Sequence, residues 1–307
     1  MLFAFLRLVR LPNLLVVILT QYLLRYLVLL PALRAEGIAP VLTHLEFAVL
    51  VFCTVVLTMT GYIINNIMDY GIDLLNKPGR VVVGDVISPR RAYEWYIGLN
   101  LVGFGFALWL AFRVEFVGLV LIYPVSMALL WLYSRYFKKW VLVGNILVSL
   151  FCAGVAVVIL FADRAAFGQL SPDRAGLIWL FFMGYALYAY LSTMYREIVK
   201  DMEDVKGDLA YDCRTLPVVA GMQFSKAIAA VFGLTLLAFV FYLWFYLLRH
   251  HQMAEMIYVG VALILPILFA IYLLYRAHDT AQFRTLSVVS KFIMLAGILY
   301  IPIYYWF

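Results

Sequence analysis

The sequence predicts an all-α integral membrane protein, a bundle of nine transmembrane helices forming a single polytopic domain over residues 1–307. Three observations carry the prediction. The chain is 66% hydrophobic and only 13% charged, against roughly 45–50% and 25% in soluble domains. A soluble fold of this length has too little interior to hide that much apolar surface, and a disordered chain has too little apolar content to match it. Nine runs approach the about 20 apolar residues that a bilayer crossing requires. Finally, basic residues are distributed asymmetrically about those runs.

The runs fall at 11–33, 46–67, 92–112, 115–134, 141–161, 176–195, 227–248, 256–275 and 287–307. No small-residue cleavage site follows the first, so it is expected to remain as a span. Most connections are short; those at 68–91 and 196–226 read as long and polar. With nine spans, the amino terminus and the connections after spans 2, 4, 6 and 8 share one side. Seventeen of the 23 Lys and Arg lie there; five (Arg34, Arg113, Arg164, Arg174, Arg249) lie opposite, and Arg25 is inside span 1. The excess of positive charge predicts that the amino terminus and both long connections face the cytoplasm of a multi-pass protein of the cell membrane. The same bias accounts for the net charge of +6 without a nucleic-acid partner. Cys53, Cys152 and Cys213 and the four histidines are scattered, which supports neither a disulfide framework nor a zinc centre.

Ten of the 17 acidic residues crowd into two segments, one with Asp69, Asp73, Asp85 and Glu94, the other with Glu197, Asp201, Glu203, Asp204, Asp208 and Asp212. Both start at cytoplasmic ends of apolar helices. On a helix, Asn65, Asn66, Asp69 and Asp73 fall within an arc of about 100°. Asp201, Asp204 and Asp208, at i, i+3 and i+7, do the same, with Glu197 one turn earlier. Carboxylates so placed repel, which calls for a cation. Oxygen-only ligands favour Mg²⁺ or Ca²⁺ over zinc, and Mg²⁺ commonly combines one or two carboxylates with substrate phosphates. Two such faces would clamp a diphosphate. Arg80, Arg135, Lys138, Lys139, Arg196 and Lys200 stand near enough in sequence to neutralise a leaving group, although positive-inside bias alone would also place basic residues here. Aromatic residues make up 17% of the chain. Some suit interfacial belts, and others could line a lipid-chain tunnel.

These residues carry a resemblance. Asn65 to Asp73, with Lys77-Pro78-Gly79-Arg80 beyond, resembles the NDxxDxxxD…R motif of the UbiA superfamily of membrane prenyltransferases. Tyr133-Ser134, Lys138-Lys139 and Gly144-Asn145 are similar to that family's stretch after the fourth span, and Arg7, Arg10, Pro12 and Asn13 to its amino-terminal signature. Arg196 to Asp208, followed by Arg214-Thr215-Leu216-Pro217, looks most like the digeranylgeranylglyceryl phosphate synthase branch. The resemblance implies a UbiA-like bundle with its active site at cytoplasmic helix ends. It implies an Mg²⁺-dependent transfer of a geranylgeranyl-type chain from its diphosphate to a lipophilic acceptor, geranylgeranylglyceryl phosphate, in isoprenoid phospholipid synthesis. Metal ligands would be Asn65, Asp69, Asp73, Asp201, Asp204 and Asp208. Asp69, Asp73, Asp204, Asp208 and Lys200 would be catalytic. Arg80, Lys138, Lys139, Arg196 and Lys200 would hold the diphosphate, and Asn13, Tyr133 and Asn145 the substrates. Asn66, Val81-Val82-Val83-Gly84-Asp85, Lys206 and Tyr211-Asp212-Cys213 depart from the family pattern, which bears on acceptor and chain length. An aromatic quinone or chlorophyll-type precursor is the alternative acceptor. An ion-coupled transporter is the alternative class, disfavoured because the acids sit at helix ends rather than mid-span.

Overall fold

The computed structural model describes residues 1–76, 79 and 81–306; Arg80, assigned above to the diphosphate, lies outside the described residues. A short helix α1 (Leu2–Leu8) precedes span 1, α2 (Leu11–Arg34). Next come α3 (His44–Met68), the short α4 (Tyr70–Asn76), α5 (Pro89–Arg113), α6 (Gly118–Arg135) and α7 (Val143–Ala162). The remainder is α8 (Pro172–Ala210), α9 (Leu216–Arg249), α10 (Met253–Arg276) and α11 (Thr280–Trp306). Among the described residues nine of these are long and apolar enough to cross a membrane, one for each predicted span.

The starts and stops follow from local chemistry. Thr43 and Glu46 form a reciprocal capping box at the start of α3, and the Ser88 side chain accepts from the Arg91 amide to open α5, each satisfying otherwise orphaned amides. α2 and α10 each widen into a π turn, Leu24–Leu29 and Val259–Ile264. Both turns end two residues before a proline, Pro31 and Pro266, whose ring crowds the preceding turn and removes a ladder donor. α9 is broken at Gly221, where φ is 80° and ψ is 165°, a conformation open to glycine.

The structure corrects the predicted connection at 196–226. α8 runs unbroken for 39 residues, so the second acidic segment is the end of a membrane helix, and only residues 211–215 link α8 to α9. Lys226, counted above with that connection, is buried within α9. Lys291, counted with the connection after span 8, lies eleven residues into α11.

Two helices organise the bundle. α3 packs against α2, α5 and α6, and α8 packs against α7, α9 and α11, while α2 touches α3, α7 and α11 and so joins the halves. Spans 2 and 6 run in the same direction, so α3 and α8 bring their carboxyl ends, and their acids, to the same side. At the other side Arg25 and Asp163, both fully buried, form an ion pair. Arg25 also donates to the Leu42 carbonyl and lies over the Phe47 ring, 4.5 Å from its centroid. Asp163 accepts from the Leu42 amide at 3.0 Å. This cluster ties the turn between α2 and α3 to the end of α7.

A buried pair that loses one partner leaves an uncompensated charge. Asp163→Ala is therefore expected to destabilise the protein by about 3–5 kcal/mol, read as a lowered midpoint of thermal unfolding in detergent, and Arg25→Met/Asp163→Leu should recover part of that loss.

Candidate active site

The carboxyl ends of α3 and α8 open onto one cavity of about 680 Å³. Asp69, at the junction of α3 and α4, keeps the helical repeat: its amide donates to the Asn65 carbonyl at 2.9 Å, and the Asp73 amide donates to the Asp69 carbonyl at 2.8 Å. Asn65, Asp69 and Asp73 thus stack along one side of the cavity, and Asp201, Asp204 and Asp208 line it from α8. Asn66 does not join them; its Nδ2 donates to the Tyr62 carbonyl at 2.8 Å. Of the other acids in the two segments, Glu197 also lines the cavity, and the rest are paired elsewhere or exposed. Glu94 pairs with Arg90 and Glu203 with Arg284, while Asp85 and Asp212 are exposed.

A clasp that the sequence reading missed brings the segments together. Asn76, the last residue of α4, donates from Nδ2 to the Asp204 carbonyl at 3.0 Å and accepts the Gly207 amide on Oδ1 at 2.8 Å. A Cβ at position 207 would lie 2.4 Å from Asn76 Nδ2, and one at Gly71 would lie 2.3 Å from the Tyr211 hydroxyl. Each glycine therefore admits a side chain from the opposite segment. The signal available in the sequence was the glycine within each acidic run; Asn76 gave none.

The carboxylates are individually positioned. Asn65 Nδ2 donates to Asp69 Oδ2 at 2.7 Å, Asn145 Nδ2 to Asp201 Oδ2 at 2.8 Å, and Thr215 Oγ1 to Asp208 Oδ2 at 3.0 Å. Lys138 Nζ forms an ion pair with Asp69. Lys200 and Arg196 both pair with Glu197, at 2.9 Å and 2.6 Å. Asn13 Nδ2 donates to the Tyr62 hydroxyl at 2.9 Å, and Tyr133 lines the cavity between these groups. Lys139 is not on the cavity wall; its carbonyl accepts the Arg214 amide at 2.9 Å. Cys213 does line it. Burial pushes its thiol up from the ordinary value, so at neutral pH it is a poor thiolate nucleophile.

Away from the acids the cavity has an apolar end lined by Leu50, Ala107, Leu110, Leu119 and Val158. From Leu50 to Met68 the wall is α3, 18 residues or roughly 27 Å, close to the hydrocarbon thickness. The result is a polar head over a membrane-deep apolar shaft.

The head fits a hard divalent cation. The donors from both segments are oxygens, and Asn65 Oδ1 is buried there without a partner. Asp69 and Asp208 also stand at helix carboxyl ends, where the dipole adds negative potential. Among the described residues no three His, Cys, Asp or Glu side chains converge on one point, so water or ligand oxygens would have to complete a coordination shell, as Mg²⁺ prefers.

Comparison with known proteins gives concordant results. The model of the UbiA prenyltransferase family matches residues 23–296. The digeranylgeranylglyceryl phosphate synthase of Korarchaeum cryptofilum is 33% identical over 256 residues, 80% of this chain and 81% of that protein. Its counterpart from Methanothermobacter thermautotrophicus is 38% identical over 195 residues, 62% of each chain, and that from Methanopyrus kandleri 35% over 176 residues, 57% of this chain and 58% of that one. The match thus spans about three-fifths of the last two relatives. Among solved structures, a UbiA homologue from Aeropyrum pernix superposes with a TM-score of 0.61 at 18% identity, covering 92% of this chain and 96% of that one. A UbiA homologue from Archaeoglobus fulgidus bound to DMAPP and Mg²⁺ superposes with a TM-score of 0.54 at 18% identity, covering 97% and 99%.

Gly207→Ala should break the Asn76 clasp. The expected cost is about 1–3 kcal/mol for two hydrogen bonds lost or strained, seen as a lower unfolding temperature and faster proteolysis of residues 69–88. Asn76→Ala should reproduce both effects.

Proposed function

This chain belongs to the UbiA prenyltransferase family, and from that premise we propose that it is an Mg²⁺-dependent intramembrane prenyltransferase. It transfers a geranylgeranyl-type chain from the diphosphate to geranylgeranylglyceryl phosphate within one polytopic domain. The observation that carries this reading is the junction of two oxygen-bearing helix faces with a membrane-deep apolar shaft in a single cavity. The named function of the relatives and the prenyl diphosphate bound by the Archaeoglobus homologue support it.

In this reading Asn65, Asp69 and Asp73 would supply oxygen ligands toward one Mg²⁺ and Asp201, Asp204 and Asp208 toward the other, with water and diphosphate oxygens completing each shell. When bound, the metal neutralises diphosphate oxygens as a Lewis acid. The chain's own groups do the rest. Lys138 and Lys200, with Arg80, present positive charge to the departing diphosphate. Asn65, Asn145 and Thr215 keep Asp69, Asp201 and Asp208 in fixed orientations, so little reorganisation accompanies the reaction. The apolar shaft takes the polyprenyl chain and excludes water from C1. The C1–O bond breaks with its electrons going to diphosphate, the acceptor hydroxyl forms the new ether bond, and its proton is released. The neutral Cys213 takes no covalent part. The basic excess beside the acids supports a cytoplasmic orientation of this head in the cell membrane.

The test uses purified protein in nanodiscs with labelled geranylgeranyl diphosphate. Geranylgeranylglyceryl phosphate and an aromatic quinone precursor are offered in parallel, with EDTA as control. Product from the glycerol phosphate alone, abolished by EDTA, is the expected result; product from the aromatic acceptor alone would overturn the acceptor. Asp69→Ala and Asp204→Ala should each lower turnover at least 100-fold with normal folded yield, and near-normal turnover in both would sink the two-metal reading.

A further inference from the structure

The apolar shaft carries a side chain long enough to close it. Tyr123, on α6, lines the shaft ten residues beyond Tyr133 at the head, roughly 15 Å deeper. Leu119, one helical turn further, already belongs to the apolar end. The ring nevertheless does not cross the shaft. It is 4% exposed and packs with Cys53 of α3 and Ala107 of α5, its centroid 6.3 Å from that of Phe104.

Its hydroxyl enters a slot over Gly103 of α5. A Cβ at position 103 would lie 2.1 Å from the Tyr123 hydroxyl, 2.7 Å from Tyr123 Cζ and 2.9 Å from Val56 Cγ1. α3 closes the slot from the other side, where Cys53 Sγ donates to the Gly103 carbonyl at 3.6 Å. The slot thus exists because residue 103 has no side chain. Little else fixes the ring. The hydroxyl is 3.5 Å from Asn100 Oδ1, beyond the usual hydrogen-bond range, and that oxygen already accepts from Thr60 Oγ1 at 3.2 Å. Val56, Phe104 and Asn100 occupy the protein side of the slot, so a ring expelled from it turns toward the shaft.

The level of the slot matters to a chain held at the head. Val56 precedes Asp69 by 13 residues, about 20 Å along α3. A geranyl chain hung from the head ends above that level. A chain twice as long reaches past it, into the space bounded by Leu50, Leu110 and Leu119. With the ring stowed, that space is continuous with the head; a ring turned inward would cut it off.

We propose that Gly103 and Tyr123 together set the length of prenyl chain that the shaft accepts. Gly103 is the positioning residue, since it acts by keeping the Tyr123 ring out of the shaft. The ring itself forms the wall beside the distal isoprenes of a geranylgeranyl-length chain. The inference rests on the prenyl diphosphate donor proposed above and is independent of which acceptor is used.

The test is therefore a binding measurement with no acceptor present. Geranyl, geranylgeranyl and the longer geranylfarnesyl diphosphate are titrated with Mg²⁺ onto the purified protein in phosphatidylcholine nanodiscs. Gly103→Ala should weaken geranylgeranyl diphosphate at least tenfold and leave geranyl diphosphate within twofold. Tyr123→Ala should improve geranylfarnesyl relative to geranylgeranyl diphosphate at least fivefold. Gly103→Ala/Tyr123→Ala should regain the long-chain affinity lost in Gly103→Ala, because the blocking ring is gone; a second truncation in a merely loosened core would not restore it. Equal losses for short and long donors in Gly103→Ala, or no recovery in the double variant, would overturn the gate. Should Gly103→Ala fail to fold, Tyr123→Ala alone decides, and an unchanged chain-length profile in it overturns the gate. That last result would route the chain out of the shaft above Tyr123, past Leu150, which lines the cavity and is 53% exposed. Failure of the wild-type protein to bind any of the three diphosphates would overturn the donor reading itself, and the gate with it.

Discussion

The structure depends on gathering like charges where they are least welcome. Six carboxylates, Asp69, Asp73, Glu197, Asp201, Asp204 and Asp208, line one cavity toward the same end of two parallel helices, where they repel one another. The arrangement holds because each side is restrained by other parts of the fold. Asn76 bridges α4 to the backbone of α8, and Asn145 and Thr215 tie down individual carboxylates from α7 and the α8–α9 link. Lys138 and the Arg196–Lys200 pair offset part of the charge from within the protein. What is left over is a surplus of negative charge, which under the function proposed above would be met by external cations and the diphosphate they bring.

Much of this was legible in the sequence, because it is written in short-range patterns. The nine apolar runs of bilayer length each correspond to a helix long enough to span among the described residues, and the i, i+3, i+7 spacing of Asp201, Asp204 and Asp208 puts them on one wall as expected. The errors came where hydropathy was used to end a helix. Span 6 stops being apolar near residue 195, but the backbone of α8 remains helical to Ala210, since the polar residues beyond are satisfied by the cavity and by Asn76 rather than by a loop. Lys291 was assigned to a connection by the same logic. The clasp made by Asn76 could not be read from sequence, for its partners Asp204 and Gly207 lie more than a hundred residues away.

The roles given to Asn145 and Asn13 also shift once partners are visible. Both were assigned to substrate; in the fold Asn145 orients Asp201, and Asn13 orients Tyr62 beneath Arg10. Both also line the cavity, and these partners are a feature that residue type and spacing do not encode.

The length of α8 has a consequence of its own. Thirty-nine residues make a rod of roughly 58 Å, about twice the hydrocarbon thickness, with no hinge between the part gripped by lipid and the part bearing the acids. The helix therefore works as a ruler, setting the height of the acidic face relative to the membrane core. Inserting a single residue ahead of Glu197 would turn the acidic face by about 100° and raise it by about 1.5 Å. Loops elsewhere in the molecule can absorb changes of length; this stretch can absorb none, and the depth at which the acidic face sits in the bilayer is built into its residue count.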